Sequence, residues 1–262
     1  MHFYDVASSP HVWFLHGLGS SRKARVIQQI GTICNDQGVH FTPLSYPPQE
    51  VWRIEEWVSY AVDELNQRPD HNTILMGHSA GAWAALRAAI AAPEKVAGIF
   101  ALSLGVGLDY DFIDKVMPGK LGRLLAGETL TFPALNDGAV LKLDLESIES
   151  YRRNCPSRLP GVYDIDSPLH VVTSKDDSIA KYNDIVGVVE RVRTGRNESS
   201  NRVTPIPGNN HVLTMEDERV LRAFCLFMTT CGVEMSEQRA AKSVERWVKT
   251  YNENKNSKTN KK

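Results

Sequence analysis

The sequence predicts an α/β fold: a mostly parallel sheet with helices on both faces. Short apolar, β-branched runs alternate along the 262 residues with longer segments whose apolar residues recur at helical spacing. That length suits one domain with a substantial core, and 42% hydrophobic against 23% charged residues is ordinary for a globular protein. No internal repeat interrupts the alternation.

His11-Val12-Trp13-Phe14-Leu15 fits a buried first strand. Residues 22–36 read as a helix with Val26, Ile27, Ile30 and Ile33 as its stripe. Residues 38–42 are the next strand, closed by Pro43 and the Pro47-Pro48 pair, and 51–66 a second helix with Trp57, Ala61 and Leu65 turned inward. An apolar run before Gly77 reads as a strand, 80–92 as a helix, and 96–104 as another buried strand. Later strands are expected at 168–173 and 202–206, with helices at 182–193 and 216–229.

Residues 105–155 break the pattern with Pro118, Gly119, Gly122, Gly127, Pro133 and Gly138 among short helical pieces. They are expected to form a cap-like insertion, with Leu121, Leu124, Leu125, Phe132 and Leu135 as candidate lining. Residues 1–232 are thus read as one domain. Residues 233–251 are read as a C-terminal helix with Ala240, Val244, Trp247, Val248 and Tyr251 on one stripe, and 252–262 as a disordered polar tail.

The stretch Gly77-His78-Ser79-Ala80-Gly81 carries the chemistry. A G-x-S-x-G run between strand and helix is expected to form a nucleophile elbow, with Ser79 held on a strained turn above a helix N-terminus. Upstream, the first strand ends in His16-Gly17-Leu18-Gly19-Ser20, a loop suited to offering a backbone N–H to an oxyanion. Leu18 is the candidate donor and Ala80 the second.

Downstream, the strand at 168–173 opens onto Lys175-Asp176-Asp177-Ser178-Ile179. Asp176 is the preferred acid, two residues before the Ser178-Ile179 pair. Asp177 competes for the role, or caps the helix beginning near Ala180. Among eight histidines, only His211 lies on a loop after the last strand, free to reach both serine and aspartate. His16 and His170 read as hydrogen-bonded structural residues. His2, His40 and His71 read as surface or strand-edge positions, and His78 is expected to face away from the serine. The order Ser79, Asp176, His211 is that of one of the known triad arrangements.

With these residues assembled, the chain resembles the α/β-hydrolase-fold serine hydrolases. Within them it is similar to the small acyl-protein thioesterase and esterase branch that includes the mitochondrial palmitoyl-protein thioesterase. The likeness runs through residues 75–83, 91–96, Lys175-Asp176-Asp177-Ser178-Ile179 and Asn210-His211, and at the level of the fold through residues 11–232. It implies cleavage of a carboxylic ester or thioester without a cofactor, acting on a small-molecule or acylated substrate. The branch carries extra N-terminal strands; about ten residues precede the first core strand here, so the opening hairpin is expected to be missing. Two alternatives accompany this expectation: a non-catalytic hydrolase-like binding protein, and an acyltransferase using the same serine.

A formal net charge of −1 provides no field to attract nucleic acid or an anionic membrane. Residues 1–10 contain neither a basic nor an apolar region, so no secretory signal is expected, and no run approaches the ~18 apolar residues of a membrane span. Cys34, Cys155, Cys225 and Cys231 lack metal-ligand spacing and are expected as reduced thiols in the cytoplasm. No metal or nucleotide motif is found. The expected state is a monomer or homodimer.

Overall fold

The computed structural model describes residues 10–68, 72–107, 109–133, 140–155, 163–194 and 201–259. The first half of the chain runs β1 (His11–Leu15), α1 (Arg25–Asp36), β2 (His40–Pro43), α2 (Ile54–Asn66), β3 (Thr73–His78), α3 (Ala80–Ala91) and β4 (Val96–Leu102). The insertion follows as α4 (Tyr110–Val116), α5 (Leu121–Leu125), β5 (Leu130–Phe132), β6 (Leu141–Leu143) and α6 (Leu145–Asn154). Then come β7 (Tyr163–Ile165), β8 (Leu169–Ser174), α7 (Tyr182–Val189), β9 (Val192–Thr194), β10 (Arg202–Ile206), α8 (Glu218–Thr230) and α9 (Glu237–Thr259).

Six strands form one sheet in the order β10-β8-β4-β3-β1-β2, and every pairing is parallel. After β2 the chain crosses back to place β3 on the other side of β1. The connections leaving β1 and β3 therefore diverge, which opens a crevice at the carboxyl edge of the sheet. The sheet is described from β1 onward; the stretch where an opening hairpin is expected to be missing, residues 1–9, lies outside the described residues.

The two-residue period of the strands divides the core. Val12 and Phe14 of β1 face α1 and α8, together with Ile74, Met76, Phe100 and Leu102. Trp13 and Leu15 face α2 and α3, together with Leu75, Ile99 and Ala101. Each fully buried Leu or Phe among these contributes roughly 1.5–3 kcal/mol. Helix α3 is buried nearly all round, and its alanines let it lie close on the strands.

The segment 20–24 turns twice before α1, with Ser20 N–H on Gly17 O and Ala24 N–H on Ser21 O, so that helix starts at Arg25 rather than at 22. Helix α7 stops at Val189, short of 193. A turn at Glu190 and Arg191 then feeds β9, which pairs in parallel with β7. Neither strand of this small sheet is visible in the sequence pattern. The insertion holds an antiparallel β5–β6 hairpin as well as its helices.

Helix α9 lies on α1 and α8 through Ala240, Val244 and Val248. It does not stop at 251: residues 252–259 remain helical, because extending an existing helix costs far less than starting one. Arg25 joins it to the body. Its guanidinium is 5.5 Å from the Trp247 ring centre and 5.3 Å from that of Tyr251, two rings stacked 4.8 Å apart. The same guanidinium makes a bidentate ion pair with Glu216, at 2.7 and 2.6 Å. All four cysteines are free, and burial pushes the Cys34, Cys225 and Cys231 thiols up to about 12.

Candidate active site

Ser79 stands directly after β3 and caps α3, with φ 53° and ψ −122°. This left-handed conformation is strained for a residue with a Cβ. Close glycines make the turn possible. A Cβ on Gly77 would lie 2.5 Å from Ala82 N, and one on Gly81 would lie 2.2 Å from Leu15 O. Gly105, past the end of β4, presses on the Ser79 carbonyl from the opposite side, where a Cβ would come within 2.7 Å of Ser79 O. Its N–H donates to that oxygen at 3.0 Å, while its own carbonyl accepts from the buried Tyr151 hydroxyl of α6. The elbow is thereby fixed to the sheet, to α3 and to the insertion.

His211 lies five residues past β10. Its Nε2 is 2.9 Å from Ser79 Oγ and its Nδ1 is 2.8 Å from Asp177 Oδ2. The carboxylate that meets the imidazole is thus Asp177, not Asp176. A turn explains the shift by one residue. The Asp177 N–H donates to Ser174 O, which puts Lys175 and Asp176 at the exposed tip and carries Asp177 back under the sheet edge. The Asp176 N–H bonds Gly208 O at 3.0 Å, tying this turn to the loop after β10 while its side chain faces water.

Asp177 caps no helix, because α7 begins only at Tyr182 with Lys181 before it; its carboxylate instead holds the bend at 178–180 while it meets the histidine. Oδ1 accepts the N–H groups of Ile179 and Ala180 at 2.8 and 3.1 Å, which leaves Oδ2 for His211. The Asp177 side chain has no exposure. Burial pushes its carboxyl up, but the His211 hydrogen bond and charge and the two N–H donors outweigh burial and hold it below the usual carboxylate range. The group therefore stays ionised beside the imidazole.

The histidine loop is held by residues that the sequence pattern does not mark. Ser103 Oγ and His78 Nε2 both donate to the His211 carbonyl, at 2.8 and 3.0 Å, and Ser174 Oγ donates to Asn210 O at 2.6 Å. His78, expected to face away from the serine, has its ring 5.0 Å from that of His211 and lines the same cavity as Ser79. Burial and the neighbouring imidazole lower its pKa to about 3, so it remains a neutral donor. Ser103, like Ser79, has a positive φ, of 46°. His16 and His170 are structural, as expected. His16 Nδ1 donates to Gly17 O and its ring packs edge-on against Tyr46 and Trp57, while His170 Nε2 pairs with Thr204 Oγ1 at 2.8 Å.

Ser79 and His211 open into a cavity of about 110 Å³, walled on the apolar side by Phe112, Val116 and Phe132 of the insertion and by Ile179. Leu18 lines it too, and Ala80 begins α3, at the positive end of the helix dipole. Among the described residues, neither the Leu18 nor the Ala80 N–H donates to another protein atom. Of the lining expected from the insertion, Phe132 is present, Leu121 packs partly buried against the core, Leu124 is buried in it, Leu125 is 52% exposed and Leu135 lies outside the described residues. Phe112 and Val116 had no sequence signal beyond helical spacing. Among the described residues no group of His, Cys, Asp or Glu could hold a metal, and no helix is long and apolar enough to cross a membrane.

A family model described as the alpha/beta hydrolase family matches residues 8–223. The chain belongs to the alpha/beta hydrolase family. Solved structures agree on the fold of this hydrolase. Alpha/beta hydrolase domain-containing protein 10 from mouse is 18% identical, covering 85% of this chain and 88% of its own, with a TM-score of 0.65. A putative hydrolase from Agrobacterium vitis S4 gives 17%, 85%, 88% and 0.67 for the same quantities. Est1E from Butyrivibrio proteoclasticus is 14% identical, covering 87% of this chain and 90% of its own, with a TM-score of 0.63. Among curated proteins none matches the chain. At these identities the likeness to solved structures carries the hydrolase fold alone.

Proposed function

We propose that this hydrolase cleaves a carboxylic ester or thioester through an acyl-serine intermediate, with Ser79 as nucleophile, His211 as base and Asp177 as the orienting acid. The observation that carries this reading is one imidazole bridging a strained serine hydroxyl and a buried, ionised carboxylate at 2.9 and 2.8 Å.

His211 Nε2 takes the Ser79 proton as Oγ attacks the carbonyl carbon, and Asp177 holds the proton on Nδ1 and stabilises the imidazolium. The oxyanion settles on the N–H groups of Leu18 and Ala80, each such donor contributing roughly 2.7–4 kcal/mol to the barrier reduction. Protonation of the leaving oxygen or sulfur by His211 releases the first product. Water, deprotonated by the same imidazole, then hydrolyses the acyl-serine and returns the proton to Oγ.

A cavity of about 110 Å³ is smaller than the ~150 Å³ that accommodates a benzene ring. That size favours a short acyl chain over the long one a palmitoyl thioesterase accepts. The four free cysteines support a reducing compartment such as the cytoplasm.

The test is labelling by a fluorophosphonate probe alongside turnover of p-nitrophenyl esters of increasing acyl length. Wild type should label and prefer the shorter esters, and Ser79→Ala should do neither. Labelling that persists in Ser79→Ala refutes the assignment. Labelling of wild type with no turnover of any ester favours a non-catalytic binding role.

A further inference from the structure

A second cavity, of about 470 Å³, opens beside the catalytic one and shares His16 and Ser20 with it as a common wall. Its volume lies within the range of small-molecule sites, roughly 300–1,000 Å³. One side is formed by Tyr46, stacked on Trp57 at 3.9 Å and 3°. Arg22 and Lys23, both exposed and on the turns that follow the Leu18 loop, also line the cavity.

The charges are one-sided. Among the described residues no carboxylate lines this cavity, and neither Arg22 nor Lys23 forms an ion pair with Asp or Glu. The third cation of this stretch, Arg25, is by contrast fully engaged with Glu216 and the two rings of α9. Net charge over the whole chain is −1, so the positive character is local to this mouth. The catalytic cavity next door is small and mostly apolar.

We propose that the second cavity receives the leaving portion of the substrate, and that Arg22 and Lys23 select an alcohol or thiol bearing an anionic group such as a carboxylate or phosphate. This assignment rests on the hydrolase reading above and names its substrate class: a short acyl group joined to an anionic leaving group. In the reaction the new Ser79 Oγ–acyl bond forms as the acyl–oxygen or acyl–sulfur bond breaks. The proton held on His211 passes to the departing atom, and the anionic product leaves through the cationic mouth.

Two chromogenic substrates test it: the butyrate esters of 2-nitrophenol and of 3-hydroxy-4-nitrobenzoic acid, which differ by one carboxylate. Wild type should favour the carboxylated ester in kcat/KM, and that preference should shrink in high salt. In Arg22→Ser/Lys23→Ser the ratio of the two kcat/KM values should fall about five-fold, mainly through KM, as expected for two exposed cations. The Arg22→Lys/Lys23→Arg exchange should restore it. A ratio indifferent to both the charge and the variants overturns the proposal.

A binding measurement separates this from failure of the hydrolase reading. In Ser79→Ala protein, 3-hydroxy-4-nitrobenzoate should bind more tightly than 2-nitrophenol, and removal of Arg22 and Lys23 should abolish the difference. Charge-selective binding with no turnover by wild type leaves the site standing and removes the chemistry. Turnover without charge selectivity does the reverse.

Discussion

Replacing Asp177 by Asn should nearly abolish turnover while leaving the fold intact, and the geometry shows why. The side chain is anchored by Oδ1, which accepts from the N–H groups of Ile179 and Ala180. An asparagine keeps those bonds only by placing its carbonyl there, which turns its NH2 toward His211 Nδ1, 2.8 Å away. A donor facing Nδ1 requires that nitrogen to be unprotonated, so the imidazole proton moves to Nε2. Nε2–H would then point at Ser79 Oγ, 2.9 Å off, and could no longer accept its proton. This is the wrong tautomer for a base, a fault that in a serine protease triad lowers kcat by ~10⁴, or about 5.4 kcal/mol of barrier. The assay is steady-state hydrolysis of p-nitrophenyl butyrate by wild type, Asp177→Asn and Asp176→Asn, with thermal unfolding as a control. A fall of roughly 10³–10⁴ in kcat is expected for Asp177→Asn, against less than about two-fold for the exposed Asp176→Asn. A large loss confined to Asp176→Asn would refute the reasoning, and so would equal activity of all three proteins.

Gly81→Ala pushes a methyl against the carbonyls of Leu15 and His16, 2.2 and 2.4 Å from its ideal position, and backbone must move to admit it. A cost of about 3 kcal/mol or more is expected, seen as a drop of roughly 6–12 °C in Tm; an unchanged Tm refutes the packing argument. His78→Ala removes one of two donors to the His211 carbonyl and should lower kcat/KM about two- to ten-fold. Adding Ser103→Ala should lower it by more than the product of the single effects, because the carbonyl then has neither donor; simple additivity in ester hydrolysis would count against shared support. His170, buried with a pKa lowered to about 4, stays neutral in the fold, while an unfolded imidazole protonates near 6.5. The unfolded state thus binds the extra proton, so this residue makes stability fall as pH drops below 6.5 and level off near 4. Between pH 7 and pH 5 the loss should be about 2 kcal/mol, and urea unfolding should show that part of the pH dependence missing in His170→Gln.

Which parts of this structure could be read beforehand follows from the range of the forces that set them. The strand and helix positions of β1, α3 and β10 are written in local periodicity, and the elbow in a local G-x-S-x-G run, although the backbone that Gly81 must clear belongs to Leu15 and His16. His211 was legible because it alone among the histidines follows the last strand on a loop. The choice between Asp176 and Asp177 was not, since it depends on where the backbone turns: the Asp177 N–H closes a turn on Ser174 O, and the bond of Asp176 N–H to Gly208 O ties that turn to a segment that composition does not relate to it. His78 and Ser103 escaped for the same reason, their partner being a carbonyl more than a hundred residues away. The β7–β9 pair consists of strands three residues long, too short for an alternating pattern to register.

The clasp around Arg25 sets how much polypeptide a minimal enzyme must retain. Arg25 borders the reaction chamber, and the rings that grip it, Trp247 and Tyr251, belong to the closing helix of the chain. Trimming back to the last strand–helix unit at Thr230 would preserve every reacting group yet strip that wall residue of its aromatic grip. A tag or fusion partner appended behind Thr259 is, by contrast, separated from the grip by two helical turns of polar sequence. Truncation libraries for this protein therefore have their natural stopping place just beyond Tyr251.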